Sequence, residues 1–296
     1  MSFQIHQSVA DIPQGIAPTY LRKEYLHSQS YAHFVGYSNP DFFIAFDVAD
    51  KVAISIPRSP FGSFFCRNDH AVALADFWAE VSNDLKSKGV EKVEIRHPSE
   101  IYRPFADLAQ LQKLGFTIAF TDINQHIDLS KEWQDSIHKM QARKLQSLKE
   151  EGFEFQKMGN DQVKTAYDFL TVCRQAQGLQ INIEFDHLES LIDELPEQYE
   201  IFGVFRGGKI SALCIAVNVT DEIAYYYLPA TSPMFRNKSP MVMLIAGMVA
   251  HCQSKRFKYL DLGVSSKEGR PQETLKLFKE RMGAMETGKP LLTQLI

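Results

Sequence analysis

The stretch KYLDLGVSSKEGRPQETLKLFKERMGA, from Lys258 to Ala284, gathers many side chains that could move a proton or steady a charge. It opens as an apolar strand, breaks into a polar loop, restarts as a basic helix and stops at Gly283. Lys279 stands beside Phe278 on that helix. An ammonium near a developing oxyanion would stabilise acyl transfer. The competing reading is a solvated lysine on an amphipathic helix that packs inward through Leu275, Phe278 and Met282. Asp261 alternates with Leu260 and Leu262 and so faces away from them. It could orient or deprotonate an amine, or simply cap a strand end. Tyr225 and Tyr227 share one face of their strand, where either could donate to a leaving group or line a pocket. Tyr226 completes an aromatic run that would also suit a core. Arg236 and Lys238 flank the start of a long helix, where they could hold a phosphate with help from the helix dipole. Ser265 and Arg270 offer polar contacts in the loop. Ser265 and Ser266 have no histidine or aspartate at a triad-like spacing, so neither reads as a nucleophile. The histidines are dispersed, without HxxxH or HxH, and predict no metal site.

The elements that must position these groups follow from hydrophobic period and turn signals. DFFIAFDVADKVAISIPRS reads as two strands around a turn. HAVALADFWAEVSNDLKSKG is an amphipathic helix with Val72, Leu74, Phe77, Trp78, Val81 and Leu85 on one side and Gly89 as its cap. VEKVEI is a buried strand, FADLAQLQKLGF a helix and TIAFTDINQHIDL a strand. SKEWQDSIHKMQARKLQSLKEEG reads as one polar helix joining two halves. YEIFGVFRG and GKISALCIAVNV form a hairpin around Gly207-Gly208, followed by IAYYYLPA, the long helix SPMVMLIAGMVAHCQSKR and the strand KYLDLG. Hairpin, helix, buried strand, helix and strand thus occur twice, at an offset of roughly 167 residues, which predicts a duplicated domain and not a solenoid.

Composition narrows the class. The chain has 296 residues, 45% hydrophobic and 23% charged, with a net charge of −4. That suits a soluble protein with two domain-sized cores and no global field for nucleic acid or membrane. A local basic groove from KMQARKLQSLKE and QSKRFK could still receive a tRNA or a nucleotide-linked acceptor. The cysteines at 66, 173, 214 and 252 form no CxxC pair and read as reduced thiols. The first residues lack a signal peptide pattern and MVMLIAGMVAHC is too short to span a bilayer, so a cytoplasmic location is expected.

Three stretches carry a resemblance to a family. YLDLGVSS resembles the strand ending in an acidic residue and glycine of the FemAB-like tandem acyltransferases. LFKERMG resembles their Phe-Lys-x-x-x-Gly helix end, through Phe278, Lys279 and Gly283. SPFGSF resembles a loop common in these proteins. The resemblance implies an α+β fold of two GNAT-like domains, at 1–150 and 151–296, each a mixed, mostly antiparallel sheet flanked by helices, with the last strand returning to the first domain. It implies acyl or aminoacyl transfer to an amine, without a metal. Lys279, Asp261 and Tyr227 would be catalytic, and Tyr225, Arg236, Lys238, Ser265, Arg270 and Phe278 would bind substrate. Acyl-CoA or aminoacyl-tRNA would be the donor. MFRNKSPM lacks the glycines of a GNAT pyrophosphate loop, which argues against CoA. An ordinary acetyl-CoA-dependent N-acetyltransferase and a catalytically silent binding protein are the alternatives.

Overall fold

The computed structural model describes residues 3–12, 18–29, 31–67 and 71–296. The chain order is β1 (Gln4–His6), α1 (Lys23–Ser28), β2 (Phe34–Ser38), β3 (Phe42–Ala49), β4 (Val52–Ser55), β5 (Phe65–Cys66), α2 (Ala71–Ser87), β6 (Lys92–Arg96), α3 (Leu108–Lys113) and β7 (Thr117–Asp128). Next come α4 (Trp133–Ser136), α5 (Lys139–Glu150), β8 (Phe153–Met158), α6 (Val163–Gln175), α7 (Phe185–Glu194), β9 (Tyr199–Arg206), β10 (Lys209–Thr220) and β11 (Ile223–Thr231). The chain closes with α8 (Met241–Ser254), β12 (Tyr259–Val264), β13 (Ser266–Lys267), β14 (Arg270–Pro271), α9 (Glu273–Arg281) and β15 (Met285–Leu295).

Contacts divide the chain into two units. The first holds Met1–Ile123, Ser266–Arg270 and Thr287–Ile296; the second holds Asn124–Ser265 and Pro271–Glu286. In this division the first change of unit falls after Ile123, so α4 and α5 lie in the second unit. There the Trp133 indole Nε1 donates to the Met282 carbonyl at 2.7 Å and α5 lies on α8. The single helix expected over this stretch is two. Ile137 is extended between them, and the His138 side chain accepts from the Met140 N–H and starts α5 afresh.

In the first unit β1, β2, β3 and β4 form antiparallel ladders, β4 pairs parallel with β6, and Leu291–Leu295 of β15 pair antiparallel with Lys92–Arg96. Its core joins the α2 side chains Leu74, Phe77, Trp78, Val81 and Leu85 to Phe42, Ile44 and Phe46 of β3, as the helical period predicts. In the second unit the order is β7, β12, β11, β10, β9, β8, with all pairs antiparallel except β11 with β12. Helix α8, apolar nearly all round, is buried against β9, β10 and α5.

The two units repeat one succession, an antiparallel hairpin, a helix, a parallel strand and a helix. In each, the parallel pairing lasts three residues: Val52–Ile54 with Lys92–Glu94, and Ile223–Tyr225 with Tyr259–Asp261. Beyond that point the strands separate. In the first unit the chain fills its own gap. Gly62 N–H donates to the Arg96 carbonyl at 3.0 Å, Ser55 Oγ donates to the Gly62 carbonyl at 2.8 Å, and the Phe61 ring is buried among Tyr20, Tyr102 and Phe105.

Glu200 anchors α8 to the second sheet. Its buried carboxylate accepts from Lys157 (2.6 Å), Lys255 (2.8 Å), His251 (3.1 Å) and Asn218 (3.3 Å). Burial pushes this carboxyl up, but the hydrogen bonds from His251, Lys157 and Lys255 outweigh it and hold it well below its ordinary 4.5. A group depressed in the folded state stabilises fully above its unfolded value and loses that contribution as pH falls below it. Glu200→Gln is therefore expected to lower stability by about 1–3 kcal/mol at pH 7. In urea unfolding followed against pH, the gap between the two proteins should shrink steadily below the ordinary carboxyl range.

Candidate active site

The second unit leaves its gap open. A cavity of about 770 Å³ lies there, within the size range of small-molecule sites. Tyr226, Pro229, Ala230 and Thr231, from the half of β11 beyond its pairing with β12, line it. So do Arg236, Ser239, Met241 and Ile245 at and before the start of α8, Arg174 and Gln177 at the end of α6, and Gln272 to Leu275, Phe278 and Lys279 of α9.

Two backbone irregularities make the opening. On β11 the register shifts so that Tyr226 and Tyr227 oppose Ala216 alone, a β-bulge. On β12 the pairing with β7 shifts between Asp261 and Val264, and Gly263 takes φ +74°. That left-handed geometry suits glycine, and a Cβ there would stand 3.2 Å from the Tyr225 hydroxyl.

Lys279 closes the break. It is buried, 4% exposed. Its Nζ donates to the carbonyls of Gly263 and Val264, both at 2.9 Å. The solvated-lysine reading thus fails; of the inward face predicted for this segment, Met282 is in the core and Phe278 packs against it, while Leu275 is exposed and Lys279 is buried instead. Lys279 places a positive charge in the cavity wall while satisfying two carbonyls that the bulge strips from the ladder.

The other expected residues divide. Phe278 and Arg236 line the cavity. Asp261 is buried, 2% exposed, and accepts from Asn124 Nδ2 and the Gly263 N–H, each at 2.8 Å. It fixes the bulge, and it does not line the cavity. Of the tyrosine run, Tyr226 lines the cavity and Tyr225 and Tyr227 do not. Tyr226 donates to Met241 Sδ at 3.4 Å. Tyr225 and Tyr227 sit on each other, centroids 6.2 Å apart, and burial pushes the Tyr227 phenol up to about 12. Lys238 is tied to Glu151 at 2.7 Å, away from the lining. Ser265 is fully buried and donates to Gln125 Oε1 at 2.5 Å. Arg270 is exposed and also outside the lining. Arg174, Gln177, Gln272 and Glu273 are lining residues that no motif marks. Their polar types at α6's end and α9's start were the sole signal.

Lys139, Arg143 and Lys149 are exposed on α5, while Lys144 donates to Ser239 Oγ at 3.2 Å. Among the described residues no group of three or more His, Cys, Asp or Glu could hold a metal, and no helix is long and apolar enough to cross a membrane. The cysteines are free and buried.

Residues 136–270 match the family model of the acetyltransferase (GNAT) domain. No curated protein matches the chain by sequence. Among solved structures, FemX is similar over 100% of this chain and 98% of its own, with TM-score 0.69 and 13% identity. The C-terminal domain (DUF2156) of a putative lysylphosphatidylglycerol synthetase from Agrobacterium fabrum covers 86% of this chain and 81% of its own, with TM-score 0.63 and 14% identity. A tandem GNAT protein from the clavulanic acid biosynthesis pathway covers 98% and 91%, with TM-score 0.54 and 10% identity.

The Lys279 geometry sets a stability prediction. Lys279→Met should cost about 2–4 kcal/mol, because two carbonyls lose their donor. Phe278→Ala should cost less than the 3–5 kcal/mol of a fully buried ring. Denaturant midpoints at unchanged m-value would check both.

Proposed function

We propose, from the premise that this chain carries the FemAB-like tandem GNAT fold, that it transfers an acyl or aminoacyl group to an amine in the cavity of the second unit. The observation that supports this most is the buried Lys279 ammonium in the wall of the gap between β11 and β12. The amine nitrogen forms the new C–N bond at a thioester or ester carbonyl. The C–S or C–O bond breaks with its electron pair on the leaving atom, which takes up the proton the nitrogen loses. Lys279 and the backbone of β11 beyond its pairing with β12 would stabilise the oxyanion between these steps. Asp261, spent on Asn124 and Gly263, is not assigned the proton transfer. Glu273 is the one carboxylate among the described lining residues and takes that role.

The start of α8 bears on the donor. The Ser239 N–H already donates to the Arg236 carbonyl, Pro240 has no N–H, and the Val242 N–H donates to the Ser239 carbonyl. Few amides remain to cradle a diphosphate, so the reading favours a donor other than acyl-CoA. Calorimetric titration with acetyl-CoA should show weak or no binding; tight, stoichiometric binding would return the chain to the ordinary acetyl-CoA-dependent class.

The direct test is mass-spectrometric detection of acylated amine from aminoacyl-tRNA or acyl-CoA donors. Lys279→Met, assayed at a temperature where it stays folded, should slow transfer by about 10²-fold, the scale of one lost oxyanion donor. Transfer from no donor, by the intact chain, would leave a silent binding protein with this fold.

A further inference from the structure

Of the four charged side chains in the described cavity lining, Lys279 is held by two carbonyls, while the other three lack the partners that Glu151 and Glu200 find elsewhere in the second unit. Glu151 takes both Lys238 and Arg206, and Glu200 takes three basic side chains. Among the described residues, by contrast, the Arg174 and Arg236 guanidiniums and the Glu273 carboxylate, all in the cavity lining, have neither an ion-pair nor a hydrogen-bond partner. Burial pushes the Cys173 thiol up while Arg236 and Arg174 both pull it back. Both guanidiniums line the same cavity, Arg174 from the end of α6 and Arg236 from the segment before α8. Glu273 opens α9 on another wall. The same lining also holds apolar and aromatic side chains, among them Tyr226, Ile245 and Phe278.

We infer that the acceptor bound in this cavity is an amine that also carries an anionic group. The anion, a carboxylate or a phosphate, lies against Arg174 and Arg236, and the amine lies toward Glu273. This rests on the transfer reading only for naming the ligand as the acceptor. Guanidinium suits either anion, since it offers paired N–H donors to two oxygens. A molecule with one end alone loses half of this recognition.

Thermal midpoints of the full chain with four ligands at millimolar concentration test this. They are alanyl-alanine, alanyl-alanine amide without the anion, N-acetyl-alanyl-alanine without the amine, and phosphoethanolamine with phosphate in place of carboxylate. The two zwitterions differ in which anion they carry, so their relative shifts tell carboxylate from phosphate. At least one should raise the midpoint, and the amide and the N-acetyl compound should bind about tenfold weaker or worse. Arg174→Gln should erase the preference over the amide, and Glu273→Gln the preference over the N-acetyl compound. Equal binding of the amide or of the N-acetyl compound overturns the inference, as does no shift with either zwitterion. A chain that binds a zwitterion and transfers nothing keeps this inference and refutes the transfer reading. Transfer to neutral amines as fast as to anionic ones does the reverse.

Discussion

Parallel strands hydrogen-bond continuously only while both keep an even pleat. In the second unit that condition ends at Tyr225 and Asp261, and everything beyond answers to the break. A buried backbone that leaves its ladder must find other partners. On the β12 side, Lys279 supplies them to two carbonyls and Asp261 receives the Gly263 N–H. On the β11 side, β10 continues to hold the other edge through Thr231. What is left between is a space walled by backbone and by the ends of three helices. The two polar residues that first drew notice as chemistry are thus also the residues that allow the opening to exist.

The first unit shows the alternative. Its parallel pairing is equally short, yet Phe61 and Gly62 occupy the space, and aromatic rings seal it. Gly62 fits because a side chain there would press on Ile56 and the Ser55 carbonyl at 3.1 Å. One duplicated topology therefore yields a filled gap and an open one, and the difference lies in a single loop.

Much of this could be read from residue order. Strand and helix types, the glycine-turned hairpin at 207–208, the repeated succession and the Lys279 neighbourhood follow from period and turn chemistry. What local pattern does not show is which face meets the cavity. Alternation along YYY puts Tyr225 and Tyr227 together, as the fold does, yet the cavity is lined from the other face, by Tyr226. On α9, pattern buries leucine before lysine, but two stranded carbonyls reverse that order, and no local window contains them. Arg174 and Glu273 meet one cavity from positions far apart in the chain, each indistinguishable from a surface residue in its own helix. Nor does any local window show that α4 and α5, which look like a connector, pack within the second unit, where Trp133 bonds to Met282.

The pairing of Leu291–Leu295 with β6 has a consequence for how the protein is made. A chain emerging from the ribosome presents β6 long before its neighbour exists, since some two hundred residues separate Arg96 from Leu291. Until then the nascent first unit carries an exposed strand edge able to recruit the wrong partner. The second unit waits too, because β12 must appear before Asn124 to Asp128 gain their ladder. Completion of both thus waits for segments made long after their partners, and until those segments emerge an open edge needs cover.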